Sequence, residues 1–159
     1  MLVAAIDVGV KNTAMVIMRD DRRIELMELF PCDRDDHRCM DPYLPLLQRC
    51  SIIGVETQLK INYGAVRLSQ HIISTIRAKF GDSCPEIMDM HTSMKKKGFD
   101  APKKDLKKWC VIKAQSLLHP DDISFIDRFR KKDDVSDCVL YAIALLWTRD
   151  RPSDQVPGS

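Results

Sequence analysis

The chain has 159 residues, of which 45% are hydrophobic, and its formal net charge at neutral pH is only +2. This length and hydrophobic content suffice for one globular domain, so we expect a single domain over residues 1–150 and a frayed tail over residues 151–159. No apolar run reaches the roughly 20 residues that a membrane-spanning helix needs, which argues against association with a membrane. The first residues lead straight into a strand pattern, so we expect no signal peptide.

Three segments at the start of the chain have the pattern of β-strands. Residues 2–8 are almost continuously apolar, which is typical of a buried strand. Gly9 and Asn12 mark a turn, after which residues 13–18 return as a second strand. Residues 23–30 alternate apolar and charged side chains and are expected to form a third, half-exposed strand. Three consecutive strands joined by short turns predict an antiparallel meander.

The rest of the chain alternates between helix and strand patterns. The expected elements are a short helix over residues 42–50, a strand over 51–56, a helix over 65–80, a strand over 85–90, a helix from about 103 and a last helix over 134–148. This order, βββαβαβαα, predicts an α/β fold with a five-stranded mixed sheet flanked by helices. In such a sheet the first strand lies beside the fourth.

Four carboxylates at the ends of these elements indicate the chemistry of the chain. Asp7 and Glu56 each end an apolar strand, and Asp134 and Asp137 lie on one face at the start of the last helix. Acids at the ends of buried strands are costly unless a cation neutralises them, and Mg²⁺ prefers oxygen ligands. We therefore expect a nuclease that uses Mg²⁺, or Mn²⁺ in its place, with these four side chains as metal ligands. The neighbouring Asp133 points elsewhere and is expected to support the site or cap the helix.

Basic residues cluster between Lys95 and Lys113, where eight lysines stand against two aspartates. Such a cluster is often only the solvated face of a helix. On the same chain as an acid cluster, it favours binding to the phosphates of DNA.

The six cysteines form no Cys-x-x-Cys pair and no regular framework. We interpret them as free thiols of an intracellular protein in a reducing compartment. Cys32, His37 and Cys39 offer a zinc site as an alternative, although a fourth ligand is missing.

Three motifs together resemble the Holliday junction resolvases of the RuvC type, in the ribonuclease H-like superfamily, and in particular the branch found in poxviruses and fungal mitochondria. Residues 6–12 (Ile-Asp-Val-Gly-Val-Lys-Asn) are similar to the first motif of that family, and residues 55–58 (Val-Glu-Thr-Gln) to the second. Residues 132–137 (Lys-Asp-Asp-Val-Ser-Asp) resemble the last motif, whose Asp-Asp doublet leaves the ligand open between Asp133 and Asp134. The resemblance extends over residues 1–148.

The resemblance implies a Mg²⁺-dependent endonuclease that resolves four-way DNA junctions by paired nicks in opposite strands. It implies a catalytic lysine near the start of the penultimate helix, which places Lys103 there, with Lys104 as the alternative. The residues expected to bind DNA are Lys11, Lys95, Lys96, Lys97, Lys104, Lys107 and Lys108. If the chain is viral, it would act in the cytoplasm or nucleus of the host cell.

Resolution of a junction needs two cuts, so we expect a homodimer with two active sites. The helix over residues 65–80 is the candidate interface, because its apolar residues exceed a narrow stripe. The alternative is that Ile72, Ile73 and Ile76 fill the core.

Three other functions share parts of this pattern. Asp7, Gly9 and Thr13 match the phosphate-binding loop of ATPases of the sugar kinase and actin type, which need two such domains. A nucleic-acid-binding domain without catalysis would have lost one or more of the acids. A related nuclease that cuts RNA or other branched DNA has the same residues.

Overall fold

The computed structural model describes residues 1–33 and 37–149, which form a five-stranded sheet with helices on both faces. The strands are β1 (Leu2–Asp7), β2 (Thr13–Arg19), β3 (Ile24–Phe30), β4 (Ile52–Glu56) and β5 (Glu86–Met90). The helices are α1 (Leu44–Leu47), α2 (Tyr63–Phe80), α3 (Leu106–Leu117), α4 (Ile123–Asp127) and α5 (Lys132–Arg149). Among the residues described, no helix is both long enough and apolar enough to cross a membrane.

The strands lie in the order β3-β2-β1-β4-β5. The strands β1, β2 and β3 form the expected antiparallel meander, whereas β4 is parallel to both β1 and β5. This arrangement confirms the predicted mixed sheet and the predicted neighbours β1 and β4. Because β1 and β4 run in the same direction, the acids that end them emerge at the same edge of the sheet.

Alternation along β1 divides the core into two layers. Val3 and Ala5 pack with α3, α4 and α5 on one face, whereas Ala4 and Ile6 pack with α1 and α2 on the other. Side chains along a strand alternate between faces, so Asp7 continues the series of Val3 and Ala5. The carboxylate of Asp7 therefore lies on the face that α5 covers.

Helix α5 approaches the sheet closely at β4. A Cβ atom on Gly54 would lie 2.1 Å from Sδ of Met90 and 2.9 Å from Cδ1 of Leu145 in α5. Met90 and Leu145 are both buried, so a larger residue at position 54 would overpack this contact. The missing side chain of Gly54 thus allows α5 to lie directly over the ends of β1 and β4.

Two features of the helices differ from the expectation. Helix α3 begins at Leu106 rather than near residue 103, because Asp105 adopts a left-handed conformation with φ of 54° that cannot continue a right-handed helix. The short α4 was not predicted, since five residues are too few for a clear apolar period. The predicted tail, residues 151–159, lies outside the described residues.

The apolar residues of α2 settle one of the open alternatives. Ile72, Ile73 and Ile76 are buried against the sheet, together with Leu68 and Phe80. These side chains therefore fill the core of the domain and are not available to an interface between subunits.

The prediction of six free thiols is wrong for two of them. Cys32 and Cys39 form a disulfide, which also occupies two of the three residues considered for zinc. Cys32 follows β3 and is buried, and its backbone N–H donates to the carbonyl of Val10 in the β1–β2 turn. Cys50, Cys84, Cys110 and Cys138 are free thiols. A reducing compartment stays a prediction.

Candidate active site

Asp7 and Glu56 lie side by side at the ends of parallel strands. Ile6 in β1 is paired with Val55 in β4, so the next residue of each strand lies at the same level. Both acids point to the face of the sheet that α5 covers, and a hydrogen bond joins the two carboxyl groups. Parallel pairing thus brings together two residues that are 49 positions apart in sequence.

Asp7 has an abnormal affinity for its proton. Burial, followed by the hydrogen bond to Glu56 and the negative charge of Glu56, raises the pKa of Asp7 to about 9. The charges of Asp137 and Asp134 raise this pKa further. The charges of the other three predicted ligands therefore all act on Asp7, and without a bound cation Asp7 is neutral at pH 7.

The first turn of α5 distinguishes the two members of the Asp-Asp doublet. Asp133 faces Lys107 of α3, with 2.9 Å between the carboxylate and the ammonium, and this hydrogen bond lowers the pKa of Asp133. Burial, and then the negative charge of Asp133, raises the pKa of Asp134. Asp134 is the member of the doublet whose charge acts on Asp7. The assignment of Asp134 as the metal ligand stays a prediction.

A lysine reaches the acids from the segment after β5, which forms a 3-10 helix over Thr92–Lys96. Lys95 donates from Nζ to Oδ2 of Asp137, and only 14% of its side chain is exposed. Burial lowers the pKa of Lys95, but the hydrogen bond and charge of Asp137 outweigh it, so the pKa is raised and the ammonium stays charged. The sequence predicts Lys95 only as a DNA-binding residue, and its contact with Asp137 is found only in the fold.

Lys103 is exposed. It precedes α3 in an irregular segment with an exposed side chain, and no described contact joins it to the four acids. The other lysines predicted to bind DNA are also exposed, namely Lys11, Lys96, Lys97, Lys104, Lys107 and Lys108. Burial thus separates Lys95 from the other lysines of the cluster.

An aromatic contact anchors the lysine-rich segment to the helices. The ring of Phe99 lies 5.0 Å from that of Trp147 in α5 and 6.2 Å from that of Trp109 in α3. The ammonium of Lys113 lies 4.4 Å from the centroid of the Phe99 ring. Because both ends of the segment are held, β5 on one side and Phe99 on the other, Lys95 has a defined position.

Sequence reasoning missed one residue of the site. Tyr141 is completely buried in α5, and its hydroxyl donates to Oε1 of Glu56 at 2.5 Å. A signal was present in the sequence: Tyr141 follows Asp137 by four positions and Asp134 by seven, and such residues share a helix face. A tyrosine in an apolar stretch nevertheless looks like a core residue until its partner is known.

The donor set fits a hard divalent cation, although the acids do not form a ready-made site. Among residues 1–33 and 37–149, no three His, Cys, Asp or Glu side chains are arranged to hold a metal ion together. Lys95 pairs with Asp137, and the ammonium of Lys131 lies 3.7 Å from Asp134. Carboxylate oxygens are nevertheless the ligands that Mg²⁺ prefers. The pKa of Asp7 is raised first by burial and then by the neighbouring acids, and a bound cation would offset both effects.

Solved structures of Holliday junction resolvases have the same fold. RuvC of Thermus thermophilus aligns with a TM-score of 0.66 at 14% identity, over 94% of this chain and 96% of that protein. The same RuvC in complex with a Holliday junction substrate also aligns with a TM-score of 0.66. The yeast mitochondrial Holliday junction resolvase Ydc2 aligns with a TM-score of 0.58 at 14% identity, over 91% of this chain and 77% of Ydc2. The chain therefore has the fold of RuvC, as the motifs predicted.

Sequence comparison adds a viral relative. Uncharacterized protein 97L of Invertebrate iridescent virus 3 is 29% identical over 104 residues. The match covers 63% of this chain and 50% of the viral protein, so the chain spans about half of the length of this relative. No family model matches the chain.

The raised pKa of Asp7 predicts an unusual pH dependence of stability in the metal-free protein. Folded Asp7 keeps its proton up to about pH 9, whereas the unfolded chain releases it near its ordinary pKa of 3.8. The unfolded state thus binds fewer protons over this range, and the free energy of unfolding falls as the pH rises. Asp7→Asn is neutral at every pH, so its stability relative to wild type should increase by about 1 kcal/mol or more between pH 5 and pH 8.5. Urea unfolding in EDTA measures this difference.

Asp133→Asn is the matched control. The pKa of Asp133 is lowered in the folded state, so its charged form stabilises the protein above its ordinary pKa. This variant should therefore show no gain over wild type at high pH. Parallel stability profiles for wild type and Asp7→Asn would show that Asp7 is not protonated in the folded protein.

Proposed function

We propose that the chain is a metal-dependent endonuclease that resolves four-way DNA junctions by paired nicks in opposite strands. One observation carries the proposal: Asp7, Glu56, Asp134 and Asp137 converge at one edge of the sheet in a RuvC-type fold. A lysine-rich surface follows the neighbouring strand β5. The Holliday junction substrate bound by Thermus thermophilus RuvC supports branched DNA as the substrate class.

The four carboxylates would bind two Mg²⁺ ions, with Mn²⁺ as a substitute. When bound, such ions supply an activated water as nucleophile and stabilise the leaving oxygen of the phosphodiester. Asp7 must release its proton, and Lys95 must move from Asp137, for all four carboxylates to act as ligands. Two Mg²⁺ ions would carry four positive charges in place of one proton and one ammonium, so the four carboxylates would be fully neutralised when the ions are bound.

Lys95 is the best placed lysine to assist at the phosphate. Its ammonium already lies at the acids and is held in the charged form by Asp137. Once released from Asp137, an ammonium beside the metal ligands would offset the negative charge that develops on the phosphoryl group in the transition state. Lys103, implied by the family resemblance, remains the second candidate.

The exposed lysines would bind the DNA arms through backbone phosphates. Lys96 and Lys97 follow Lys95 directly, and Lys104, Lys107 and Lys108 lie at or just before the start of α3. Contacts of this kind position the substrate without reading its sequence, and they weaken as the salt concentration rises. The shape of the junction, rather than base contacts, would then select the substrate.

The acids provide the decisive test of the function. Removing any one of the four acids should lower the rate of single-turnover cleavage of a synthetic four-way junction by about 100-fold or more, because the transition state loses several kcal/mol of stabilisation by the metal ions. The four variants are Asp7→Asn, Glu56→Gln, Asp134→Asn and Asp137→Asn. Junction affinity should stay close to that of wild type, because the phosphate contacts come from lysines. Asp133→Asn, whose carboxylate faces Lys107, is the matched control and should retain most activity.

The same assay tests the metal and the substrate class. Mg²⁺ and Mn²⁺ should support cleavage, whereas Ca²⁺ should support binding without efficient cutting, because its geometry is looser. Flaps, Y-forks, linear duplexes and RNA–DNA hybrids are assayed beside the junction. Cleavage in excess EDTA would disprove the metal mechanism. Faster cleavage of another substrate would show that this substrate, and not the four-way junction, is the preferred one.

The lysine roles are separated by comparing binding with rate. Lys95→Ala should lower the single-turnover rate on bound junction by about 10-fold to 100-fold, as expected for a group that stabilises developing charge. The double variant Lys96→Ala/Lys97→Ala should instead weaken binding to any duplex and reduce the dependence on salt. A normal rate for Lys95→Ala with a reduced rate for Lys103→Ala would move the catalytic role to Lys103.

We further propose a homodimer, with a surface other than the buried residues of α2. Leu59, Ile61 and Tyr63 precede or begin this helix and are 69%, 83% and 81% exposed. Contiguous patches of exposed apolar side chains are typical of an interaction site, and these three residues lie within five positions of sequence. The two active sites of a symmetric dimer would supply the paired nicks.

Sedimentation tests this dimer. The triple variant Leu59→Ser/Ile61→Ser/Tyr63→Ser should shift the protein from dimer to monomer and uncouple the two nicks, because the exposed apolar surface is removed. Ile112→Ser, at a residue of α3 that is 57% exposed, removes a similar side chain elsewhere and should leave the dimer intact. A wild-type protein that sediments as a monomer with and without DNA would argue for a simpler structure-specific nuclease.

A further inference from the structure

Tyr141 connects the core of the domain to the candidate metal ligands. Its ring is completely buried in α5, and its hydroxyl donates to Oε1 of Glu56 at 2.5 Å. Asp137 and Asp134 lie one and two turns earlier on the same helix. One helix therefore carries two acids of the site and a hydrogen-bond donor to a third.

The hydroxyl is needed for something other than packing. Phenylalanine would fill the same apolar space, whereas a buried phenol requires a partner for its O–H group. The partner here is the carboxylate that ends β4, and the same carboxylate is hydrogen-bonded to Asp7. Glu56 is thus held between Asp7 and Tyr141.

A free glutamate side chain has several rotamers, and restricting them costs free energy when a ligand binds. The bond from Tyr141 fixes one oxygen of Glu56 before any cation arrives. Donors of this kind behind metal-binding carboxylates orient the ligand, and their loss typically lowers metal affinity or activity by 10-fold to 100-fold.

We propose that Tyr141 is a positioning residue that orients the carboxylate of Glu56 for metal binding. This inference rests on the proposed function, in which Glu56 is a ligand. The ring of Tyr141 has a separate contact, because the ammonium of Lys95 lies 5.9 Å from the ring centroid. Tyr141→Phe keeps this ring and removes only the oxygen, so it isolates the effect on Glu56.

The experiment measures metal binding directly on the full chain. Titration calorimetry with Mn²⁺ should give a dissociation constant for Tyr141→Phe that is about 10-fold to 100-fold higher than that of wild type. Junction affinity in Ca²⁺ should stay within about 2-fold, because the lysines are unchanged. Tyr43→Phe, which removes a phenol hydroxyl from a tyrosine that packs on Phe30, is the matched control and should bind Mn²⁺ as wild type does.

The dependence of cleavage on Mg²⁺ provides the second readout. Tyr141→Phe should need about 10-fold or more Mg²⁺ for half-maximal rate, and saturating Mg²⁺ should restore most of the rate with an unchanged KM for the junction. A purely structural role would not be rescued by metal. The thermal midpoint in EDTA should fall by no more than about 4 °C, as expected for the loss of one hydrogen bond.

The outcomes separate this inference from the proposed function. Wild-type protein that neither binds Mn²⁺ nor cleaves any substrate would overturn both. A second outcome is that wild type binds metal and cleaves DNA and that Tyr141→Phe has the same Mn²⁺ affinity and Mg²⁺ dependence as wild type. This outcome would overturn only the role of Tyr141. A large fall in the thermal midpoint without a change in metal affinity would assign the hydroxyl to stability and would overturn that role as well.

Discussion

The partial burial of Asp7 beside Glu56, on the face that α5 covers, is the constraint on which the rest of the site depends. Two acids at the ends of adjacent parallel strands lose much of their hydration and repel each other. The folded chain relieves this conflict with a retained proton on Asp7 and a hydrogen bond from Tyr141 to Glu56. An acid whose pKa is shifted strongly by burial and by neighbouring acids is typical of a functional site.

Helix α5 has two functions that explain its composition. Its buried apolar residues pack on the sheet, and the absence of a side chain at Gly54 allows a close approach to β4. Its first turns carry Asp134 and Asp137 on the face directed at the strand ends. Because the same rigid helix forms the core and the site, a change in core packing would move the acids relative to Asp7.

The segment after β5 separates two kinds of lysine by burial rather than by sequence. Lys95, Lys96 and Lys97 are consecutive, yet only Lys95 contacts an acid of the site. The 3-10 helix over Thr92–Lys96 turns Lys95 inward, and the contact between Phe99 and Trp147 anchors the far end. A catalytic cation and a phosphate-binding surface can therefore be neighbours on the chain and still act on different parts of the substrate.

The sequence by itself determined the strands, the mixed sheet and the positions of the four acids at the ends of two strands and the start of the last helix. Apolar periodicity and the ends of strands are local features, so they can be recognised without knowledge of tertiary contacts. Only the tertiary structure decided which lysine meets Asp137, that Tyr141 binds Glu56, that Ile72 and its neighbours fill the core, and that Cys32 pairs with Cys39. Local sequence leaves several contact partners open for a run of lysines, a buried tyrosine or a pair of cysteines. The partner that each side chain contacts depends on distances across the fold, which no local pattern encodes.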